Sequence, residues 1–129
     1  MATIFTKIIS GELPSYKVAE DDKFLAFLDI NPNVKGHTLC IPKKEVNKLF
    51  DLDPETYSGL MEFSRKVALA LEKTISCKRV GMTVIGLEVP HVHVHLIPLN
   101  AMDNINFGIK QKLSDEEFKE IAHNIRSNF

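Results

Sequence analysis

Nine residues, His91-Val92-His93-Val94-His95-Leu96-Ile97-Pro98-Leu99, constrain this chain more than any other stretch. Histidine and valine alternate through residue 95, and residues i, i+2 and i+4 of a β-strand share a face. A strand here presents three imidazoles to one side and packs Val92, Val94 and Leu96 on the other. The β-branched Val and Ile residues favour that conformation. Three of the chain's five histidines fall in this run, a cluster that asks for a chemical reason.

The remaining elements follow from spacing and punctuation. Ile4, Phe5, Ile8 and Ile9 form an apolar stripe at helical spacing that stops at Gly11, so a short N-terminal helix is expected. Tyr16–Glu20 and Phe24–Asp29 read as a hairpin around Asp21-Asp22, and His37–Ile41 as a third strand closed by Pro42. A short helical turn is expected within Glu45–Leu52. Asp53-Pro54-Glu55 is a strong helix start, and apolar residues recur at three and four from Tyr57 to Ile75, which predicts one long helix. Arg79–Ile85 is a fourth strand, joined by Gly86–Pro90 to the histidine strand, the fifth. Asn100–Phe107 reads as irregular. Ser114 to Glu117 has capping-box spacing ahead of Phe118, Ile121, Ala122 and Ile125, which predicts a last helix. Strands in runs with few helical crossovers favour an α+β domain, its sheet mostly antiparallel and its helices against one face.

The chain's 129 residues suffice for one domain with a real core. A formal net charge of −1 argues against nucleic acid or an anionic membrane as the main partner, since both select for basic surface. Cys40 and Cys77 lack metal-ligand or redox spacing. A disulfide between them stays open, and a reducing setting is the simpler expectation. Residues Met1–Lys7 lack the basic start and long apolar run of a signal peptide, and no window reaches membrane-span length, so a cytoplasmic location is expected.

Three chemistries compete for the histidine row. Two histidines two apart on a strand can share a zinc ion, but the third lies roughly 13 Å from the first at about 3.3 Å per residue. No carboxylate follows within the next few positions. The second reading is nucleophilic catalysis. A neutral imidazole has a free nitrogen to attack, a neighbour or carbonyl can hold its tautomer, and phosphorus is a natural target because phosphoryl transfer asks mainly for positioning. The third is a polar strand face with idle histidines.

The run His91–Ile97 resembles the signature of the histidine triad (HIT) family, His-φ-His-φ-His-φ-φ with φ apolar, at every position. The resemblance extends to Ile4-Phe5 through Ile8-Ile9, to Phe24–Pro32, and to Lys35-Gly36-His37-Thr38-Leu39-Cys40-Ile41-Pro42-Lys43-Lys44. It implies a HIT domain over residues 1–106, with residues 107–129 as a C-terminal extension ending in a short helix. The fold it implies is a five-stranded antiparallel sheet with one long and several short helices, the sheet continued across a homodimer. It also implies a hydrolase or nucleotidyl transferase at the α-phosphate of a purine nucleotide conjugate, of phosphoramidate or dinucleoside polyphosphate type, working through a nucleotidyl-histidine. His93 would attack, His95 would bind phosphate and handle protons, and His91 would orient His93. Asp29 would hold the ribose, with Phe27, Ile30 and Leu13 lining the base pocket of an AMP-like ligand. No cofactor and no metal are implied.

Departures from the family pattern fall around the leaving group. Where relatives have Gly-Gln-Ser/Thr ahead of the first histidine, this chain has Gly86-Leu87-Glu88-Val89-Pro90. Leu87 cannot hydrogen-bond a leaving group, and Glu88 brings negative charge toward an anionic substrate. Glu45 replaces a fourth family histidine. Two alternatives therefore stand beside the enzyme: a nucleotide-binding module with little catalysis, and a metal-dependent hydrolase.

Overall fold

A hydroxyl starts the first helix. Residues 3–129 are described in a computed structural model, and there the Thr3 side chain accepts from the amides of Phe5 and Thr6 while the Thr6 hydroxyl accepts from the Thr3 amide. This reciprocal cap opens α1 (Ile4–Ser10), and Gly11 closes it at a φ of 88°, a left-handed conformation that glycine adopts without a Cβ penalty. The hairpin follows as expected, with β1 (Lys17–Glu20) antiparallel to β2 (Phe24–Leu28). Asp21 Oδ1 holds its turn by accepting from the amides of Lys23 and Phe24. Then come β3 (Thr38–Pro42), a 3-10 turn at Leu49–Asp51, α2 (Pro54–Thr74), β4 (Arg79–Thr83) and β5 (Val94–Leu99). A second 3-10 turn at Met102–Ile105 lies inside the stretch expected to be irregular, and α3 (Asp115–Asn128) ends the chain.

The five strands form one antiparallel sheet in the order β1-β2-β3-β5-β4. Alternate residues of its central strands serve two cores. Phe24, Ala26, Leu28, Cys40, Val94 and Leu96 pack with α2 and α3, whereas Leu25, Phe27, Leu39 and Ile41 pack with Phe5 and Ile8 of α1. The helices thus do not all lie on one face, as the strand pattern suggested: α1 covers the other side. The reason is visible in β2 and β3, where every residue is buried; a strand apolar on both faces needs cover on both.

The histidine strand also differs from expectation. Its ladder begins at Val94, so His91, Val92 and His93 form a lead-in outside the ladder. Pairing with β3 stops at Cys40↔Val94. Pro42, two residues further along β3, has no N–H to offer a ladder, and the Val92 amide donates instead to Val46 O at 2.8 Å. The sidedness survives without the ladder: Val92, Val94 and Leu96 are buried in the core beneath α2. Cys40 and Cys77 are both free thiols. Among the described residues, no helix is long and apolar enough to cross a membrane.

Candidate active site

The α1 side of the sheet, along the length of β3 and β5, gathers four of the five histidines. Gly36, at a φ of 91°, turns the chain just ahead of β3. A Cβ there would stand 2.9 Å from Ile75 Cγ1, so the turn that aims His37 inward is reserved for glycine. His37, His91, His93 and His95 are all buried.

Their ring protons are set by fixed partners. His93 Nδ1 lies 2.8 Å from the His91 carbonyl oxygen. A carbonyl only accepts, so Nδ1 carries a proton, and in the neutral ring the lone pair is on Nε2. The main chain of residue 91 thus orients His93, while the His91 ring turns to donate from Nε2 to Pro42 O at 2.8 Å. That leaves His91 Nδ1 buried without a hydrogen-bond partner. The Asn33 amide donates to His37 Nδ1 at 3.0 Å. His37 therefore carries its proton on Nε2, which donates across 3.0 Å to His95 Nδ1, and His95 is protonated at Nε2 in turn.

Burial favours the uncharged form of His37, His91 and His95. It pushes His95 down to about 4, helped by the neighbouring His93 and Lys110. His37 is pushed down to about 3, again by burial first and by His95 and Lys110 second. Burial also lowers His91, against the opposing pull of the Pro42 carbonyl and Glu45. Asp29 moves the other way: burial raises its carboxyl, although the Asn31 amide donating to Oδ1 at 2.9 Å pulls it down.

A cavity of about 820 Å³ opens on this side of the sheet, beside α1. Leu13, Phe27, Asp29, Ile30, His93 and His95, all singled out from the sequence, border it together. His91 does not; it sits fully buried behind His93. Phe27 divides its surface between the cavity and the α1 core, with its ring edge-on to Phe5 at 5.6 Å, whereas Ile30 is largely exposed at the rim. Leu87 and Glu88 also border the cavity from the loop after β4.

Sequence reading missed His37, Asn33, Phe107 and Lys110. His37 passed as an ordinary strand residue, although one of only five histidines beside a Gly turn was a usable signal. Phe107, whose ring meets His95 edge-on at 4.9 Å, and Lys110 gave no local sign because they come from the tail. Asp29, His37 and His95 place donor atoms within 4.8 Å of one another, a spacing compatible with a metal ion. The ring chemistry opposes it: His37 spends its Nδ1 lone pair on Asn33 and carries a proton on the nitrogen that faces the cluster. Asp29, His37 and His95 as arranged do not offer three lone pairs to one point.

An antiparallel sheet that presents two imidazoles, His93 and His95, to one cavity defines a histidine-based site suited to nucleophilic chemistry. The HIT domain family matches this chain over residues 10–102. An uncharacterized HIT-like protein of Borreliella burgdorferi is 42% identical over 134 residues, covering 97% of this chain and 96% of its own. The adenosine 5'-monophosphoramidase hnt1 of Schizosaccharomyces pombe is 34% identical, with 98% of each chain covered. Among solved structures, a Hit-like protein from Bartonella henselae superimposes with a TM-score of 0.85 at 33% identity, covering 98% of this chain and 96% of that one. The chain belongs to the histidine triad family.

Proposed function

We propose that this protein is a hydrolase or nucleotidyl transferase acting at the α-phosphate of a purine nucleotide conjugate, with His93 as the covalent nucleophile. One observation carries the reading. The His91 carbonyl accepts a hydrogen bond from His93 Nδ1, so the neutral form of this ring, on the cavity wall, carries its lone pair on Nε2. A nitrogen so prepared can bond to phosphorus as the leaving group departs, and water then cleaves the nucleotidyl-histidine and restores the ring. His95, with its proton on Nε2, hydrogen-bonds the phosphoryl group and handles protons as the leaving group goes. His91 supplies the carbonyl that orients the nucleophile. Asp29 Oδ2, not engaged by the Asn31 amide that Oδ1 accepts, takes the ribose hydroxyls, and Leu13, Phe27 and Ile30 border the base.

The S. pombe relative, by name an adenosine 5'-monophosphoramidase, supports adenosine phosphoramidates as the first substrates to assay. The family domain occupies residues 1–106, and residues 107–129 form an extension that reaches back to the cavity through Phe107 and Lys110. Strand β4 is a sheet edge with Met82 exposed, and an unpaired edge is a template for another strand. We place the second subunit of a homodimer there, continuing the sheet to ten strands.

The test is to quench turnover of adenosine 5'-monophosphoramidate and look for an adenylylated peptide by mass spectrometry. The adduct is expected on the peptide carrying His93 and should be absent from His93→Ala. That variant should lose turnover on the order of a thousandfold or more yet still bind adenosine 5'-monophosphate. Full activity in His93→Ala would refute the assignment.

A further inference from the structure

The cavity that His93 and His95 border is closed on one side by a segment outside the matched family region. Gln111 donates its amide to Pro32 O at 2.9 Å, which straps the stretch after the second 3-10 turn against the loop between β2 and β3. Lys110 then borders the same cavity as His93 and His95. Its ammonium donates to Asn33 Oδ1 at 3.0 Å and stands 5.0 Å from the centre of the Phe107 ring. Asn33, only 2% exposed, in turn donates its Nδ2 to Asn104 O and its main-chain amide to His37. The lysine is therefore held by groups that are themselves fixed. An ammonium has three N–H donors, and Asn33 takes one of them.

Charge balance gives this cation a purpose. Asp29 and Glu88 bring two carboxylates to the cavity wall, and an anionic ligand approaching them alone meets a Coulomb penalty. The loop after β4 offers Leu87, which has no polar side-chain atom, and Glu88, whose carboxylate oxygens only accept. Among the described residues bordering the cavity, Lys110 is the one lysine or arginine.

We propose that Lys110 binds an anionic phosphate oxygen of the substrate, which makes the C-terminal segment part of the site. This rests on the nucleotide-binding reading above. It assigns the positive partner of the phosphate to a residue far along the chain from the triad, where it offsets the negative charge of Glu88. Its contact is with the phosphate only, so the nucleoside end of the ligand does not depend on it.

Calorimetry with adenosine 5'-monophosphate and with adenosine, on the wild-type chain, Lys110→Gln and Lys110→Arg, tests the assignment. The glutamine amide can still donate to Asn33, so the strap is kept while the charge is lost. Loss of a charge-assisted hydrogen bond should weaken adenosine 5'-monophosphate by about tenfold or more and leave adenosine affinity unchanged. Lys110→Arg should retain most of the affinity, and added salt should weaken the monophosphate more in the wild type than in Lys110→Gln. Unchanged monophosphate binding in Lys110→Gln overturns the proposal, and so does an equal loss for both ligands, which marks a purely structural lysine. Either result leaves the nucleotide site standing, because the wild type still binds. A wild type that binds neither ligand overturns both readings.

Discussion

His37 Nε2 donates to His95 Nδ1 across 3.0 Å, and that single bond decides which nitrogen of His95 faces the cavity with a proton. The Asn33 main-chain amide sets the direction from the far end, since it occupies His37 Nδ1. The two rings thus act as one oriented pair, one residue supplied by β5 and the other by the loop before β3. His37 is a positioning residue in this arrangement, acting through His95.

His37→Ala should therefore slow chemistry more than it weakens binding. With the donor gone, His95 is free to take the other tautomer, and kcat should fall by about a hundredfold, the size of a general acid–base contribution, with KM little changed. Water admitted beside His95 should also relieve its burial, moving the acid limb of the rate profile toward higher pH. His37→Gln, whose amide can donate, should recover part of the rate. Steady-state kinetics with adenosine 5'-monophosphoramidate across pH reads all three effects. A matched change in kcat and KM would point to general disruption.

Acid should destabilise the fold earlier than an exposed histidine would predict. In the folded chain His37 and His95 bind protons only near pH 3 and 4, whereas free imidazole does so near 6.5. Between those values the unfolded chain binds more protons, so stability rises with pH through the window and is complete above about 6.5. It is lost as pH falls toward 3. Asp29 acts in the opposite sense, because its raised carboxyl is protonated more readily in the folded state than in the unfolded, which recovers a little stability at the acid end. Thermal melts should show Tm falling from pH 7 to pH 4.5, with a shallower slope for His37→Gln. A flat profile over that range would contradict neutral buried rings.

Asp29→Asn should weaken adenosine 5'-monophosphate by about tenfold, the value of a hydrogen bond to a charged group. The same substitution should cost far less with a 2'-deoxynucleotide, which has already lost one ribose donor. Calorimetry on the four combinations gives the coupling directly. Equal losses for both ligands would show that Asp29 acts through the loop it braces at Asn31, and not through the sugar.

Local pattern was enough for most of the elements, because their signals are local. Gly11, the Asp53-Pro54 start and the Ser114–Glu117 box each mark a helix end within a few residues, and the helices begin or end there. The His-Val alternation also placed His93 and His95 on the side opposite Val92, Val94 and Leu96, since side-chain sidedness depends on extended backbone and not on a ladder partner. The ladder's start was misjudged for a non-local reason. Whether residues 91 to 93 pair with β3 depends on Pro42, some fifty positions away.

What the chain determined by itself is therefore the order of elements, the antiparallel sheet and the one face that carries the imidazoles. Tertiary structure alone decided which proton sits on which ring. His91 O, Pro42 O and the Asn33 amide settle those tautomers, and a hydrogen bond depends on positions in space that no spacing along the chain records. The same holds for Phe107 and Lys110, which reach the cavity from the stretch ahead of the Ser114 cap, where no local motif marks them. Residue types and their intervals specify backbone conformation, whereas the site's charge and proton arrangement arises only where distant segments are brought within about 3 Å of one another.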